Sequence, residues 1–282
     1  MLQGKTVGFV GAGSMTEALL KGIVNSGTVA AKNILVTNKE NTDRLARLVQ
    51  TWQVAKCSKE ELVRSADVVI LAVKPKDIAE VLKQIGGSLR QGQLVISVAA
   101  GIPTAFIEDF CPVGVQVIRA MPNTSCTVLA SATAIATGKY ADAEAASIAI
   151  KLFSSVGKVE QVAEEQLDVI TGLSGSGPAY VYYMVEALEQ AGEQLGLPKE
   201  MALKLATQTV FGAAKMLLET GEQPTHLRTK VSSPGGTTLA GLQALRTHGF
   251  HEALCEAVKA ASARSKEMGL EFTSLSGGGI HG

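Results

Sequence analysis

Two glycine-rich segments carry the residue types that could do chemistry. The first, Gly11-Ala12-Gly13-Ser14-Met15-Thr16, follows the apolar run Thr6–Val10 and opens a helical pattern. Glycines at 11 and 13 let a backbone approach a dinucleotide pyrophosphate closely, and a helix beginning there points free N–H groups at it. A plain strand-to-helix turn would use similar residues, but this one follows the first strand of a strand–helix alternation, where a nucleotide site belongs. Thr16 replaces the third glycine of the usual fingerprint. The second segment, Val231-Ser-Ser-Pro-Gly-Gly-Thr-Thr238, packs four hydroxyls and two glycines around Pro234, directly before a helix expected from Thr238. Hydroxyls and unpaired helix N–H groups suit a carboxylate, so the octet reads as a cradle for a small acid. An ordinary N-cap would explain Thr237 or Thr238 but not the whole segment.

The end of the second strand selects the form of the nucleotide. It reads Val36-Thr37-Asn38-Lys39, with no acid at the tip to bind a ribose 2′-hydroxyl and a lysine able to pair with a 2′-phosphate. Asn38 and Lys39 therefore point to NADPH, with NADH kept open by Glu40 one residue on. Other strand tips should line the same crevice: Ala72-Val73-Lys74-Pro75, the turn Ser97–Gly101 with Ala99 and Ala100, and Met121-Pro-Asn123-Thr124. Lys74 fits a turn better than a catalytic role. Thr171–Tyr180 is a further Gly/Ser segment, suited either to tight helix packing or to backbone approach toward a nicotinamide.

Other chemistries find no support. His248 and His251 are separated by Gly249 and lack companion ligands, so no metal site is expected, and His226 and His281 read as solvent residues. The Gly172–Gly177 stretch precedes a helix and has no strand before it, unlike a hydrolase nucleophile elbow. Cys57, Cys111, Cys126 and Cys255 are scattered, as expected of free thiols in a reducing cytoplasm.

The elements that must position these segments divide the chain. Of its 282 residues 46% are apolar and 18% charged, a core-forming composition. At roughly 150 residues per domain the length suggests two domains or one large one. Basic and acidic side chains balance at 26 each and aromatics are 4%, which argues against nucleic acid. The longest apolar run, Val68–Val73, is far short of the roughly 20 residues a membrane span needs. The N-terminus also lacks the order of a signal peptide. Strands are expected at Thr6–Val10, Ile34–Thr37, Val68–Val73, Leu94–Val98 and Val115–Arg119. Helices fall between them near Met15–Asn25, Asp43–Trp52, Ser58–Arg64 and Asp77–Ile85. Ser58-Lys-Glu-Glu61 has the spacing of a capping box. This predicts an α/β fold: an N-terminal doubly wound, Rossmann-like domain over 1–163, followed by an all-α C-terminal domain over 164–282.

After a helix at Ala141–Ser155, strands largely disappear. Pro178 reads as the first residue of a helix running to Leu195, and a second helix runs from near Pro198 to Gly221. Each carries one narrow polar stripe: Glu186, Glu189, Gln190, Glu193 and Gln194 on the first; Glu200, Lys204, Gln208, Lys215 and Glu219 on the second. Helices apolar around most of their girth must be covered on nearly all sides, and a partner subunit is expected to do it. Shorter helices near Thr238–Arg246 and His251–Met268 follow, then a Gly-rich, loose tail over Ser274–Gly282.

Taken together these residues resemble the pyrroline-5-carboxylate reductase family, essentially over the chain to Met268. Val231–Leu242 is similar to the family signature. Gly11–Met15, Ala72–Pro75, Arg119–Thr124 and Gly172–Tyr180 fall in the family's order. The resemblance implies reduction of the cyclic imine 1-pyrroline-5-carboxylate to L-proline by NAD(P)H, the last step of proline biosynthesis. It implies a nucleotide domain, and helical domains that interlock into dimers which assemble into a larger ring, a decamer. It also implies that the substrate carboxylate lies on Ser233, Gly236, Thr237 and Thr238, with the Thr238 hydroxyl near the ring nitrogen. The family carboxylate before Thr-Gly-Leu-Ser-Gly corresponds to Glu164, which Glu165 adjoins. Ser125 departs from the pattern, since proline is common there.

The imine carbon is a better hydride acceptor when its nitrogen is protonated, either in an iminium substrate or by a proton from Thr238 or water. Neither route demands a strong side-chain acid. Orientation and burial of the two reactants would supply most of the catalysis. Two other readings compete. An NADP-dependent β-hydroxyacid dehydrogenase would need a lysine relay in the helical domain, yet Lys204 and Lys215 lie on polar stripes. A non-catalytic dinucleotide sensor would have no need of the Ser232–Thr238 cradle.

Overall fold

The structure, a computed structural model, describes residues 2, 4–39 and 41–276, with side chains to residue 272. Glu40, His281 and the part of the Gly-rich tail after Ser276 lie outside the described residues.

Short apolar runs form the strands β1 (Val7–Val10), β2 (Ile34–Thr37), β3 (Ala55–Lys56), β4 (Val68–Leu71), β5 (Leu94–Ser97), β6 (Gln116–Met121), β7 (Ser131–Thr137) and β8 (Gly157–Gln161). They build one sheet in the order β3-β2-β1-β4-β5-β6-β7-β8. The first six strands are parallel and follow the 3-2-1-4-5-6 order of a dinucleotide fold. β7 joins β6 antiparallel, with Ile118 opposite Thr137, and β8 runs parallel to β7. Helices α1 (Ser14–Asn25), α2 (Thr42–Trp52) and α6 (Ala143–Ser154) supply Leu19, Leu48 and Phe153 to the core cluster of Phe9, Ile34 and Ile70. Helices α3 (Lys59–Ser65), α4 (Ile78–Ile85) and α5 (Thr104–Glu108) supply Leu62, Leu82 and Phe106 to that of Val10, Val69 and Val95. Alternate strand residues thus serve two apolar clusters, which is why these strands read as continuous apolar runs.

Several helix starts follow the local chemistry. Ser58 caps α3, its hydroxyl accepting the Glu61 N–H at 3.1 Å, and Asn41 and Asp142 do the same for α2 and α6. Helix α7 (Leu167–Ile170) continues through a wider π turn at Thr171–Gly175 before α8 (Gly177–Gln194). Pro178 is therefore the second residue of α8, not the first, because the chain arrives already helical.

The sequence reading placed five strands and expected few after Ser155; β3, β7 and β8 are additional, and among the described residues β8 alone follows that point. The chain forms two compact units, Met1–Ser176 with Lys259–Gly282, and Gly177–Val258. Residues 164–176 pack in the first unit, though the sequence division at 163/164 put them with the helical part. Helix α12 (Phe250–Ser276) returns to that unit from Lys259 onward, where Phe272 packs edge-on against Phe106 at 5.5 Å.

The second unit holds α8, α9 (Lys199–Thr220), α10 (Pro224–Lys230), α11 (Thr237–Thr247) and the first part of α12. α9 buries Ala202 and Ala206, while Tyr183 is 76%, Leu205 55% and Leu218 81% exposed. Large apolar side chains thus face outward on both long helices, as expected of surfaces that another chain covers.

Candidate functional site

The turn after β1 is held from both sides. Gly11 has φ +110°, and a Cβ there would come within 2.5 Å of the Ala72 carbonyl oxygen. Its N–H donates to Thr37 at 2.9 Å. Thr16 is fully buried, and its hydroxyl donates to the Gly11 carbonyl at 2.7 Å. The residue that departs from the fingerprint thus ties the turn closed from inside α1. Gly13 stands at the N-cap of α1 and no side chain caps it. The nearest atom to a Cβ at Gly13 is the Ala72 oxygen at 4.0 Å, so protein packing does not demand glycine there. The first-turn N–H groups and the space beside Gly13 make an anion cradle that fits a pyrophosphate.

A cleft of about 290 Å³ opens beside this turn. It brings together Gly11, Ala12 and Gly13, the β2 tip Asn38 and Lys39, and the β4 tip Ala72, Val73 and Lys74. Ser14, Met15, Pro75, Ala99, Ala100 and Asn123 are not part of its lining. Ser14 accepts a hydrogen bond from Arg44 at 3.1 Å, and Arg44 also pairs with Glu17 at 3.2 Å. Among the described residues, the buried Arg44 Nε has no partner. Ala99 is buried, and the amide of Asn123 is bonded to the protein through both its oxygen and its nitrogen. Its Oδ1 accepts the Ser125 N–H at 3.1 Å, a bond that a proline at 125 could not make. Its Nδ2 donates to the Ser174 carbonyl at 2.9 Å, to which Pro178, four residues on, has no N–H to offer.

Sequence reasoning missed Lys59, Lys76, Asp77 and Glu80 in the cleft lining. Lys39 donates to Glu80 at 2.8 Å, Glu80 accepts Gln84 at 3.1 Å, and Lys59 in turn donates to Gln84. The Lys39 hydrogen bond holds the Glu80 carboxyl below the usual carboxylate range, so it is ionised at neutral pH. An acid therefore does stand near the β2 tip, brought from α4 rather than from β2 itself. No signal in the sequence pairs positions 39 and 80.

Glu164 lies in a different setting. Its two oxygens accept the Thr104 N–H at 2.7 Å and the Thr104 hydroxyl at 2.6 Å. Arg119, buried on β6, stands 3.7 Å from Glu164 and 3.0 Å from Asp168, and Ser265 of α12 donates to Asp168 at 2.7 Å. The cluster pins α5, α7 and the end of α12 to the sheet. Burial raises the nearby Glu108 carboxyl above its ordinary value, opposed by its hydrogen bond from Lys139 N–H.

The octet of the second unit is a shaped turn. Ser233-Pro234-Gly235-Gly236 closes with the Gly236 N–H donating to Ser233 at 3.0 Å, with proline second and Gly235 third at φ +71°. These are the residue demands of a type II turn. Gly236 is the N-cap of α11, again without a side-chain cap. Among the described residues, the hydroxyls of Ser233, Thr237 and Thr238 make no hydrogen bond, and all three residues are exposed. Hydroxyls and uncapped helix N–H groups thus lie within six residues of one another in the chain with their capacity open, as a carboxylate requires. Lys215 pairs with Glu219 at 3.6 Å, and Gly249 at φ +68° breaks the chain between α11 and α12, separating His248 from His251. His226 is exposed and bonded to Glu222 at 2.9 Å.

The strand order and the glycine turn define the Rossmann-like NAD(P)-binding class of oxidoreductases. The family described as "NADP oxidoreductase coenzyme F420-dependent" matches residues 6–101, and "Pyrroline-5-carboxylate reductase dimerisation" matches 164–268. The chain is 46% identical to pyrroline-5-carboxylate reductase 1 of Bacillus spizizenii, over 94% of this chain and 89% of that protein. A solved pyrroline-5-carboxylate reductase from Coxiella burnetii superposes with a TM-score of 0.88 at 38% identity, covering 94% of this chain and 98% of that one. The Plasmodium falciparum pyrroline carboxylate reductase, solved with NADP bound, gives 0.83 at 30% identity, covering 95% and 100%. The chain belongs to the pyrroline-5-carboxylate reductase family. Among the described residues, no helix is long and apolar enough to cross a membrane.

Proposed function

We propose that this protein reduces 1-pyrroline-5-carboxylate to L-proline with NAD(P)H, NADPH being the favoured donor. The observation that carries the reading is the cradle at Ser233–Thr238, with its uncapped helix start and unengaged hydroxyls. The glycine turn and the cleft hold the dinucleotide, which when bound supplies the hydride. Ser233, Thr237 and the N–H groups at Gly236 and Thr237 hold the substrate carboxylate and orient the ring. The Thr238 hydroxyl lies against the ring nitrogen and holds or passes the proton that this nitrogen carries in the product. Orientation and exclusion of water then account for most of the rate, and no strong side-chain acid is required.

Two chains pair through the exposed apolar faces of α8 and α9, and pairs assemble further into a ring. The scattered free thiols suit a reducing cytoplasm.

The test follows NADPH oxidation with 1-pyrroline-5-carboxylate and identifies proline as product. Thr238→Ala is expected to lower kcat/KM for the imine at least ten-fold while NADPH affinity stays within two-fold. Equal loss of both would refute the assignment of this loop to the substrate.

A further inference from the structure

The β2 tip holds a balance of charge that the sequence does not display. Lys39, Lys59, Lys74 and Lys76 line the cleft together with Asp77 and Glu80. Glu80 reaches Lys39 at 2.8 Å across 41 residues of sequence, and the same oxygen, Oε1, accepts a hydrogen bond from Gln84 at 3.1 Å. Both members of the pair are more than half exposed, so the contact is too weak to matter much for stability. It also lies at the strand tip where an open α/β sheet distinguishes a ribose 2′-hydroxyl from a 2′-phosphate.

From this geometry we infer that Glu80 is a specificity-determining residue, whose carboxylate offsets Lys39 and narrows the preference for a 2′-phosphorylated dinucleotide over its unphosphorylated counterpart. The inference rests on the NAD(P)H reading above. A 2′-phosphate carries close to two negative charges beside Lys39, and a carboxylate 2.8 Å from that ammonium opposes it at short range. A 2′-hydroxyl carries no charge and meets no such opposition. The same carboxylate remains an acceptor for a hydroxyl, as an acid at this tip does in NAD-binding sheets. One side chain from α4 thus penalises the phosphate and tolerates the hydroxyl, leaving the site able to take both.

Glu80→Gln separates the effects, because the amide keeps an oxygen for Lys39 while the charge is lost. The full-length protein is titrated by calorimetry with 2′,5′-ADP and with 5′-AMP at about 50 mM salt, where screening is weak. Removing one charge at this range is expected to tighten 2′,5′-ADP roughly three- to ten-fold and to leave 5′-AMP within two-fold. Lys39→Ala is expected to weaken 2′,5′-ADP and spare 5′-AMP. The ratio of kcat/KM for NADPH over NADH should rise in Glu80→Gln by the same factor as the binding ratio. Unchanged or weaker 2′,5′-ADP binding in Glu80→Gln, with the native protein binding it, overturns the role of Glu80 alone. A native protein that binds neither nucleotide overturns the dinucleotide reading, and this inference with it.

Discussion

Arg119→Met tests whether the buried polar cluster at the carboxyl ends of the sheet is an electrostatic clamp. The Arg119 side chain is 5% exposed, while Glu164 and Asp168 retain 28% and 23% exposure. Methionine approximates the stem but leaves two carboxylates facing an apolar side chain. Breaking a buried ion pair from one side costs about 3–5 kcal/mol. Two features pull the figure toward the lower end. Glu164 keeps both Thr104 donors and Asp168 keeps the Ser265 hydroxyl, and part of each carboxylate stays in water. The expected loss is about 3 kcal/mol, or a fall in Tm of roughly 6–12 °C for a chain of this size. Melting is followed by calorimetry at fixed protein concentration, because assembly makes Tm depend on concentration. A companion variant, Arg119→Met with Glu164→Gln and Asp168→Asn, leaves no unpaired charge and should recover at least half of the loss. If the single variant melts within about 2 °C of the native protein, or the triple variant melts no higher than the single, the electrostatic account is wrong.

Other perturbations probe the remaining elements. Thr16→Val conserves volume but leaves the Gly11 carbonyl without its buried donor; the denaturation midpoint should drop by the equivalent of about 1–3 kcal/mol, with weaker NADPH binding. Glu108 has a folded pKa above its ordinary 4.5, so its contribution to stability is full below that value and is lost as pH rises through the raised one. Glu108→Gln, able to keep the Lys139 contact, should therefore melt above the native protein at pH 7, with the gain vanishing as pH falls toward 4. Burial pushes the Cys57 thiol to about 11 and Cys111 to about 12, so iodoacetamide at pH 8 should leave both unmodified until the protein unfolds, as peptide mapping would show.

Legibility divided along the range of the interactions. The α/β order, the glycine turn after β1, the Ser58 cap and the Ser233–Thr238 octet all depend on residues within a few positions of one another. Periodicity, turn residues and caps record such contacts directly in the chain. The additional strand Ser131–Thr137 shows where that record thins: it alternates alanine with serine, two threonines and a single isoleucine, and alanine has little strand preference of its own. It becomes a strand because β6 offers an edge in the right register, with Ala120 opposite Ile135. β8, with Lys158 and Glu160 among its five residues, is likewise defined by the strand it pairs with.

The sequence by itself determined the class of fold, the place of the nucleotide turn and the segment suited to a small acid, because each follows from local backbone demands. Only the tertiary structure decided how the charges are partnered. Glu80 on α4 reaches Lys39 at the β2 tip, Glu164 is held by Thr104 sixty residues away, and Arg119 joins two carboxylates from beyond the sheet. Attraction between charges acts through distance in space, and the chain brings such groups together only after its elements have packed.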